Sequence, residues 1–142
     1  KCSLAEANKL HKTYWDRNAA VKKTAKACKV KTVDDQKWLY NPVSGFWMFL
    51  KAEKDRFSTL NQSTGVYVFD SWLRKVRQKL NPIGVQICLQ YHDELLLVCP
   101  IQLKSKVEEI LSSAMDEMNA TTGLNVSIGC SVDWGNSYAE CH

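Results

Sequence analysis

The segment Gln90-Tyr91-His92-Asp93-Glu94-Leu95 sets a His-Asp-Glu triplet between two apolar runs, Val85 to Leu89 and Leu95 to Val98. Two short apolar runs with polar residues at the join predict a β-hairpin carrying carboxylates at its tip. Burying the strands anchors the tip, while desolvating two adjacent carboxylates is costly unless a cation or a donor answers them. The tip is therefore a candidate metal site. One aspartate oxygen at such a turn suits Mg²⁺, which takes a carboxylate or two plus substrate phosphates in preference to an all-protein cage. In two-metal phosphoryl transfer one ion activates the attacking oxygen and the other stabilises the leaving oxygen, with carboxylates from more than one segment. As a bare triplet the motif is weak, and a turn with solvated acids is the better account of it. Hydrolase or nuclease use of His92 with Asp93 is disfavoured, because adjacent strand residues point to opposite faces.

The flanking sequence predicts what must hold that tip. Ser3-Leu4-Ala5-Glu6 has the spacing of a capping box, so a helix starts there. Leu4, Ala7, Leu10, Tyr14, Val21, Ala25 and Cys28 form one apolar stripe that predicts a helix to about Lys29, with its lysines outward. Trp38-Leu39-Tyr40 and Phe46-Trp47-Met48-Phe49-Leu50 flank a turn containing Pro42 and Gly45, which predicts a hairpin. Its aromatics fit plain packing as well as a stacking platform for bases. From Lys51 to about Leu80 the stripe Phe57, Leu60, Thr64, Val68, Trp72, Val76 and Leu80 predicts a long helix, stopped by Asn81-Pro82-Ile83-Gly84. Val66-Tyr67-Val68-Phe69 alone could pass for a strand, but length and continuous periodicity favour helix. After Pro100, helical spacing returns from Ile101 to Met118 and stops at Thr121-Thr122-Gly123. Leu124 to Val132 alternates Leu124, Val126, Ile128 and Cys130 with polar neighbours, which predicts a strand with one buried face. The expected class is α+β: a small antiparallel sheet, the central hairpin plus a third strand, packed against long helices.

Composition narrows the function classes. A chain of 142 residues with 45% hydrophobic content is one domain's length and can bury a core. It starts at Lys1 and runs at once into helical sequence, as a processed, split or trimmed piece of a larger protein would. Its six cysteines, Cys2, Cys28, Cys88, Cys99, Cys130 and Cys141, show no zinc-site spacing. They read as reduced thiols in a cytoplasmic protein (host cytoplasm if viral), with Cys88, Cys99 and Cys130 as small buried hydrophobes. A Cys88–Cys99 disulfide across the hairpin is the lesser alternative. No apolar run approaches membrane-spanning length. From Lys1 to Lys31 the bases Lys1, Lys9, Lys12, Arg17, Lys22, Lys23, Lys26, Lys29 and Lys31 face only Glu6 and Asp16. That concentration suits a polyanion, although a solvated helix face would look the same.

Gln90-Tyr91-His92-Asp93-Glu94-Leu95-Leu96 between two apolar strands resembles motif C of the family A DNA polymerases, the group of bacterial polymerase I and many phage replicative polymerases. Leu60-Asn61-Gln62-Ser63-Thr64-Gly65 is similar to the opening of that family's long palm helix. The tail Trp134-Gly135-Asn136-Ser137-Tyr138-Ala139-Glu140-Cys141-His142 resembles the Gly-x-Asn-Trp-x-x-x-His ending of these enzymes, best among the phage forms, with Tyr138 near the usual Trp. The resemblance covers about Leu60 to His142 and is weaker before that. It implies a C-terminal segment of a polymerase domain, residues 1–142, with 1–50 a basic helix and hairpin and 51–142 the palm core.

Carried over, the resemblance makes Asp93 the motif C metal ligand, has Glu94 assist the metal and primer end, and has His92 contact the primer. Gln62 would read the minor groove beside the primer terminus. Ser58 stands where the family often has Asn, and Lys54 where some members have Arg; Lys54 and Arg56 are placed to meet phosphate oxygens. Motif A and the Lys-x-x-x-Tyr-Gly helix that grips the incoming nucleotide have no match here. The implied cofactor is Mg²⁺ in a two-metal site with one ligand from this chain. The implied partners are primer-template DNA, a deoxynucleoside triphosphate and a second polypeptide carrying the rest of the polymerase domain, without which the chain is inactive. The alternative is a non-catalytic nucleic-acid-binding or assembly module that keeps the palm shape.

Overall fold

The computed structural model describes residues 2–141. The chain is α+β, with four α-helices, a three-stranded antiparallel sheet and a two-stranded hairpin among the described residues. It divides into two compact units, Lys1–Gly65 and Val66–His142. The division groups residues 51–65, with Lys54, Arg56, Ser58 and Gln62 among them, with the N-terminal part of the chain.

In the first unit, the capping box forms as its spacing predicts: the Glu6 N–H donates to Ser3 Oγ and the Ser3 N–H donates to Glu6 Oε2 at 2.7 Å. The helix it starts does not run to Lys29 unbroken. Helix α1 (Leu4–Arg17) ends at Asn18, whose amide Nδ2 donates to the Tyr14 carbonyl at 2.8 Å, and α2 (Ala19–Ala27) begins anew. The side-chain amide shares that carbonyl with the Asn18 backbone N–H (3.0 Å), and such local side-chain bonding competes with helix continuation. Neither helix buries a residue, so the apolar stripe lies open, with Leu4 78% and Leu10 66% exposed.

Strands β1 (Val30–Val33), β2 (Gln36–Tyr40) and β3 (Trp47–Phe49) form the sheet in the order β1-β2-β3. The β2–β3 hairpin matches the sequence expectation, with Trp38 opposite Phe49 and Tyr40 opposite Trp47. Strand β1 is an addition. It joins β2 through Asp34-Asp35, both at positive φ (48° and 60°), the sign that two-residue hairpin turns of the primed type require. A β-branched run ended by two aspartates was the signal for it. Leu39 and Leu50 are fully or nearly buried, and so is Asn41, whose amide donates to Ser63 Oγ (2.8 Å) and Thr64 Oγ1 (3.0 Å) while its carbonyl caps the Val43 N–H. A buried amide held on both ends costs far less than an unpaired one.

Helix α3 (Arg56–Leu80) includes Val66 to Phe69, so the continuous stripe outweighs local β propensity. In the second unit its Val68, Trp72, Val76 and Leu80 meet Val107, Ile110, Leu111, Ala114, Met115 and Met118 of α4 (Lys104–Thr122) in one core. The Trp72 indole N–H donates to the Leu111 carbonyl at 3.2 Å, which satisfies its polar atom inside that core. Gly84 (φ 72°) and Gly123 (φ 64°) end these stretches in the left-handed conformation that glycine adopts without penalty.

The strand expected over Leu124 to Val132 does not form, and the hairpin β4 (Gln86–Tyr91) and β5 (Glu94–Val98) stays two-stranded. Instead the segment is pinned by one side chain. Asn119 on α4 donates to the Ile128 carbonyl at 2.8 Å and accepts from the Ile128 N–H at 2.9 Å, the pair of bonds a neighbouring strand would supply. Leu124, Ile128 and Trp134 pack against the core, while Val126 and Cys130 are exposed. Only Leu124 and Ile128 of the alternating set are drawn against the core, and no ladder forms.

Candidate active site

The hairpin that carries the triplet is anchored at its base and open at its tip. Val85 is buried, and Ile87, Leu95, Leu97 and Cys99 lie against the core. A bulge between Ile87 and Leu89 adds Cys88 to β4, after which Leu89 faces Leu96, Gln90 faces Leu95 and Tyr91 faces Glu94. The extra residue turns Cys88 outward. It is exposed and free, and all six cysteines are free thiols, so the disulfide alternative falls away and Cys88 and Cys130 are not buried hydrophobes.

His92 and Asp93 alone make the turn. His92 sits at φ 52°, a left-handed conformation unusual outside glycine, and its ring lies 4.2 Å from that of Tyr91 at 63°. His92, Asp93 and Glu94 are exposed, and the Asp93 carboxylate enters no ion pair or side-chain hydrogen bond among the described residues. Among those residues no group of three or more His, Cys, Asp and Glu could hold a metal. The donor chemistry suits a hard, oxygen-seeking cation, but one turn provides only part of a coordination shell; further ligands must be water, substrate phosphate or carboxylates from elsewhere.

The other expected contact residues lie in the first unit. Ser58 and Gln62 are one helical turn apart on α3, and Lys54 lies four residues before Ser58 in the 3₁₀ turn leading into it; all three are exposed. Arg56 is half-buried and held by Glu53, which also takes Lys37 Nζ at 2.7 Å. Lys54 is in no ion pair among the described residues, so of the two bases it is the one open to a phosphate. Gly65 falls on this stretch of α3, and nothing lies within 4 Å of where its Cβ would be. A mid-helix glycine facing open space has no packing reason, and the residue type permits close approach of another backbone or a ligand.

The tail has a different logic. A Cβ on Gly135 would come 2.5 Å from the Glu140 Cβ, so only glycine fits there. That closeness lets the Glu140 carboxylate accept from the Asn136 N–H at 2.7 Å. The Trp134 indole N–H donates to Glu108 at 2.6 Å, with the Lys104 ammonium 5.1 Å from its ring. The Trp-Gly-Asn spacing is explained by this local closure, and His142 lies outside the described residues.

No protein-family model, no curated protein and no solved structure matches this chain. The sequence reading missed the strained His92 backbone and the open surroundings of Gly65. For Gly65 the signal was available, a glycine inside an otherwise unbroken helical pattern; for His92 it lay in the two-residue loop length.

Proposed function

We propose that this chain is a segment of a template-directed DNA polymerase, resembling family A, that contributes Asp93 to nucleotidyl transfer and holds primer-template DNA. The observation that carries the reading is Asp93 itself: a carboxylate with no ion pair among the described residues, exposed at the two-residue tip of an anchored hairpin, inside a triplet that resembles the polymerase motif. The exposed row Lys54, Ser58 and Gln62 beside the open Gly65 supports it, since exposed polar side chains can meet phosphates and base edges, Ser58 through the oxygen whose proton goes to the Asp55 carbonyl at 3.0 Å.

In this reading Mg²⁺, when bound, supplies charge neutralisation at the phosphoryl group being transferred. Asp93 offers the carboxylate, with Glu94 next to it on β5. His92, held outward by its left-handed backbone and braced by Tyr91, presents its ring to the primer strand. Gln62 and Ser58 supply donors and acceptors to the minor groove, and Lys54 neutralises a backbone phosphate. The second aspartate and the nucleotide-gripping helix must be supplied from outside residues 1–142, because one carboxylate-bearing turn cannot hold two ions. The alternative is a non-catalytic nucleic-acid-binding or assembly module that keeps the palm shape, which rests on the basic residues of α1 and α2 and on the single carboxylate-bearing turn.

Primer extension with Mg²⁺ tests the choice, using the chain alone and with a partner that supplies the upstream polymerase motifs. The complex is expected to extend and the lone chain not to, and Asp93→Ala should reduce extension by about a hundredfold or more. Full activity from the lone chain, or an Asp93→Ala complex as active as wild type, refutes the assignment. The module reading instead predicts DNA binding that Mg²⁺ and Asp93→Ala leave unchanged.

A further inference from the structure

We infer that the outer face of the three-stranded sheet in the first unit is a stacking platform for single-stranded nucleic acid. The pairing register places the residues. Lys31, Trp38 and Phe49 stand in one row across β1, β2 and β3, and Tyr40 and Trp47 stand in the next, where the Tyr40 N–H donates to the Lys29 carbonyl. Alternation puts Leu39, which is buried, on the opposite face. Four aromatic side chains and two lysines therefore share one side of a small sheet.

Their exposure and contacts distinguish this from core packing. Phe49 is 54% exposed, and Trp38, Tyr40 and Trp47 are only half-buried. The rings contact one another in pairs, Trp38 with Phe49 at 5.9 Å and Tyr40 with Trp47 at 5.3 Å. Cations lie against them as well, with Lys31 Nζ 4.1 Å from the Trp47 ring centre and Lys29 Nζ 5.6 Å from both Tyr40 and Trp47. Both lysines are exposed and take part in no ion pair among the described residues.

Charge selects the occupant. The lysines Lys22, Lys23 and Lys26 lie on α2 immediately before β1, while the acids Asp34 and Asp35 are confined to the β1–β2 turn. Aromatic faces flanked by flexible ammonium groups match a strand of unpaired nucleotides, whose bases stack and whose phosphates take the lysines. An exposed cation–π contact is weaker than base stacking, so the lysines can swing to phosphates and leave the rings to bases. A duplex, with its bases already stacked, offers no such match.

This platform uses no residue of the His-Asp-Glu turn, so it is tested in EDTA, where polymerase chemistry plays no part. The probes are labelled dT and rU oligomers of equal length and an abasic DNA oligomer of that length, read by fluorescence anisotropy with the whole chain. The expected results are binding to dT at least about tenfold tighter than to the abasic oligomer, and loss of that difference in Trp47→Leu and in the more exposed Phe49→Leu. Lys29→Gln with Lys31→Gln should make the log–log salt slope less negative by about 1.4, two phosphate contacts' worth for a single strand. Preference for dT or rU names DNA or RNA as the ligand, and either supports the platform. Equal binding of abasic and dT oligomers by the wild-type chain overturns it, as does unchanged affinity in a folded Phe49→Leu variant, or self-association through this face with no oligomer binding. The oligomer assay runs in EDTA and primer extension needs Mg²⁺, so loss of one result with the other intact separates failure of this inference from failure of the polymerase reading.

Discussion

Replacing His92 by glycine and by alanine should separate strain from contact at the tip of the hairpin. His92 holds φ at 52°, and for a residue with a Cβ the left-handed region costs about 1–2 kcal/mol. Glycine removes that cost but brings about 0.5–1 kcal/mol of extra unfolded-state entropy. The difference favours His92→Gly over His92→Ala by about 0.5–1 kcal/mol, the reverse of the usual order of these residues. Both lose the ring contact with Tyr91, worth about 0.5–1 kcal/mol for an aromatic pair. His92→Ala should therefore be destabilised by about that amount, and His92→Gly should lie close to wild type. Urea unfolding followed by tryptophan fluorescence measures both. Under the polymerase reading the two variants bind primer-template DNA equally poorly, because the imidazole is gone from each, whatever their stabilities. A glycine variant less stable than the alanine variant would show that the turn does not hold a left-handed residue, and the geometric argument for the exposed tip would fail with it.

Asn119→Ala removes both bonds to Ile128 and gains helix propensity, for a net loss of about 1–2 kcal/mol, seen as a lower urea midpoint and faster amide exchange around Ile128. Gly65→Ala, with open space for its methyl group, should stabilise the chain by about 0.5–1 kcal/mol in the same unfolding assay while weakening primer-template binding; stabilisation without weaker binding would leave the glycine without a role. Glu6, Glu53, Glu109 and Glu117 all have pKa values below the usual glutamate range, held down by the Ser3 donors, by Lys37 with Arg56, by Lys106, and by Lys79 with Lys75. A folded-state pKa lower than the unfolded one contributes stability that is present above the ordinary glutamate pKa and lost as the pH falls through the lowered values. Stability measured against pH should fall on that acidic side, and Glu117→Gln should flatten its share of the fall.

Much of the local structure was legible because its causes lie within a few residues. The Ser3–Glu6 box, the stop at Asn81-Pro82-Ile83-Gly84, the left-handed Gly123 and the hairpin around His92-Asp93 rest on side chains that satisfy or free nearby backbone groups. The alternation of Leu124 to Val132 has no such local cause, since a strand needs a neighbour to bond with. Here that neighbour is the Asn119 side chain, and no ladder forms. The stripe from Leu4 to Tyr14 correctly marks a helix but not a buried one, because periodicity records which face is apolar and not what covers it. At the site the sequence by itself determined the residue types and their order: an acid pair at a turn, a glutamine and a glycine on a long helix, lysines among aromatics. The tertiary structure decided their availability. Glu53 holds Arg56 while Lys54 stays open, a bulge turns Cys88 outward, and cross-strand register gathers Lys31, Trp38 and Phe49 into one row. Availability depends on contacts between residues distant in the chain, and spacing along one strand or helix does not encode them.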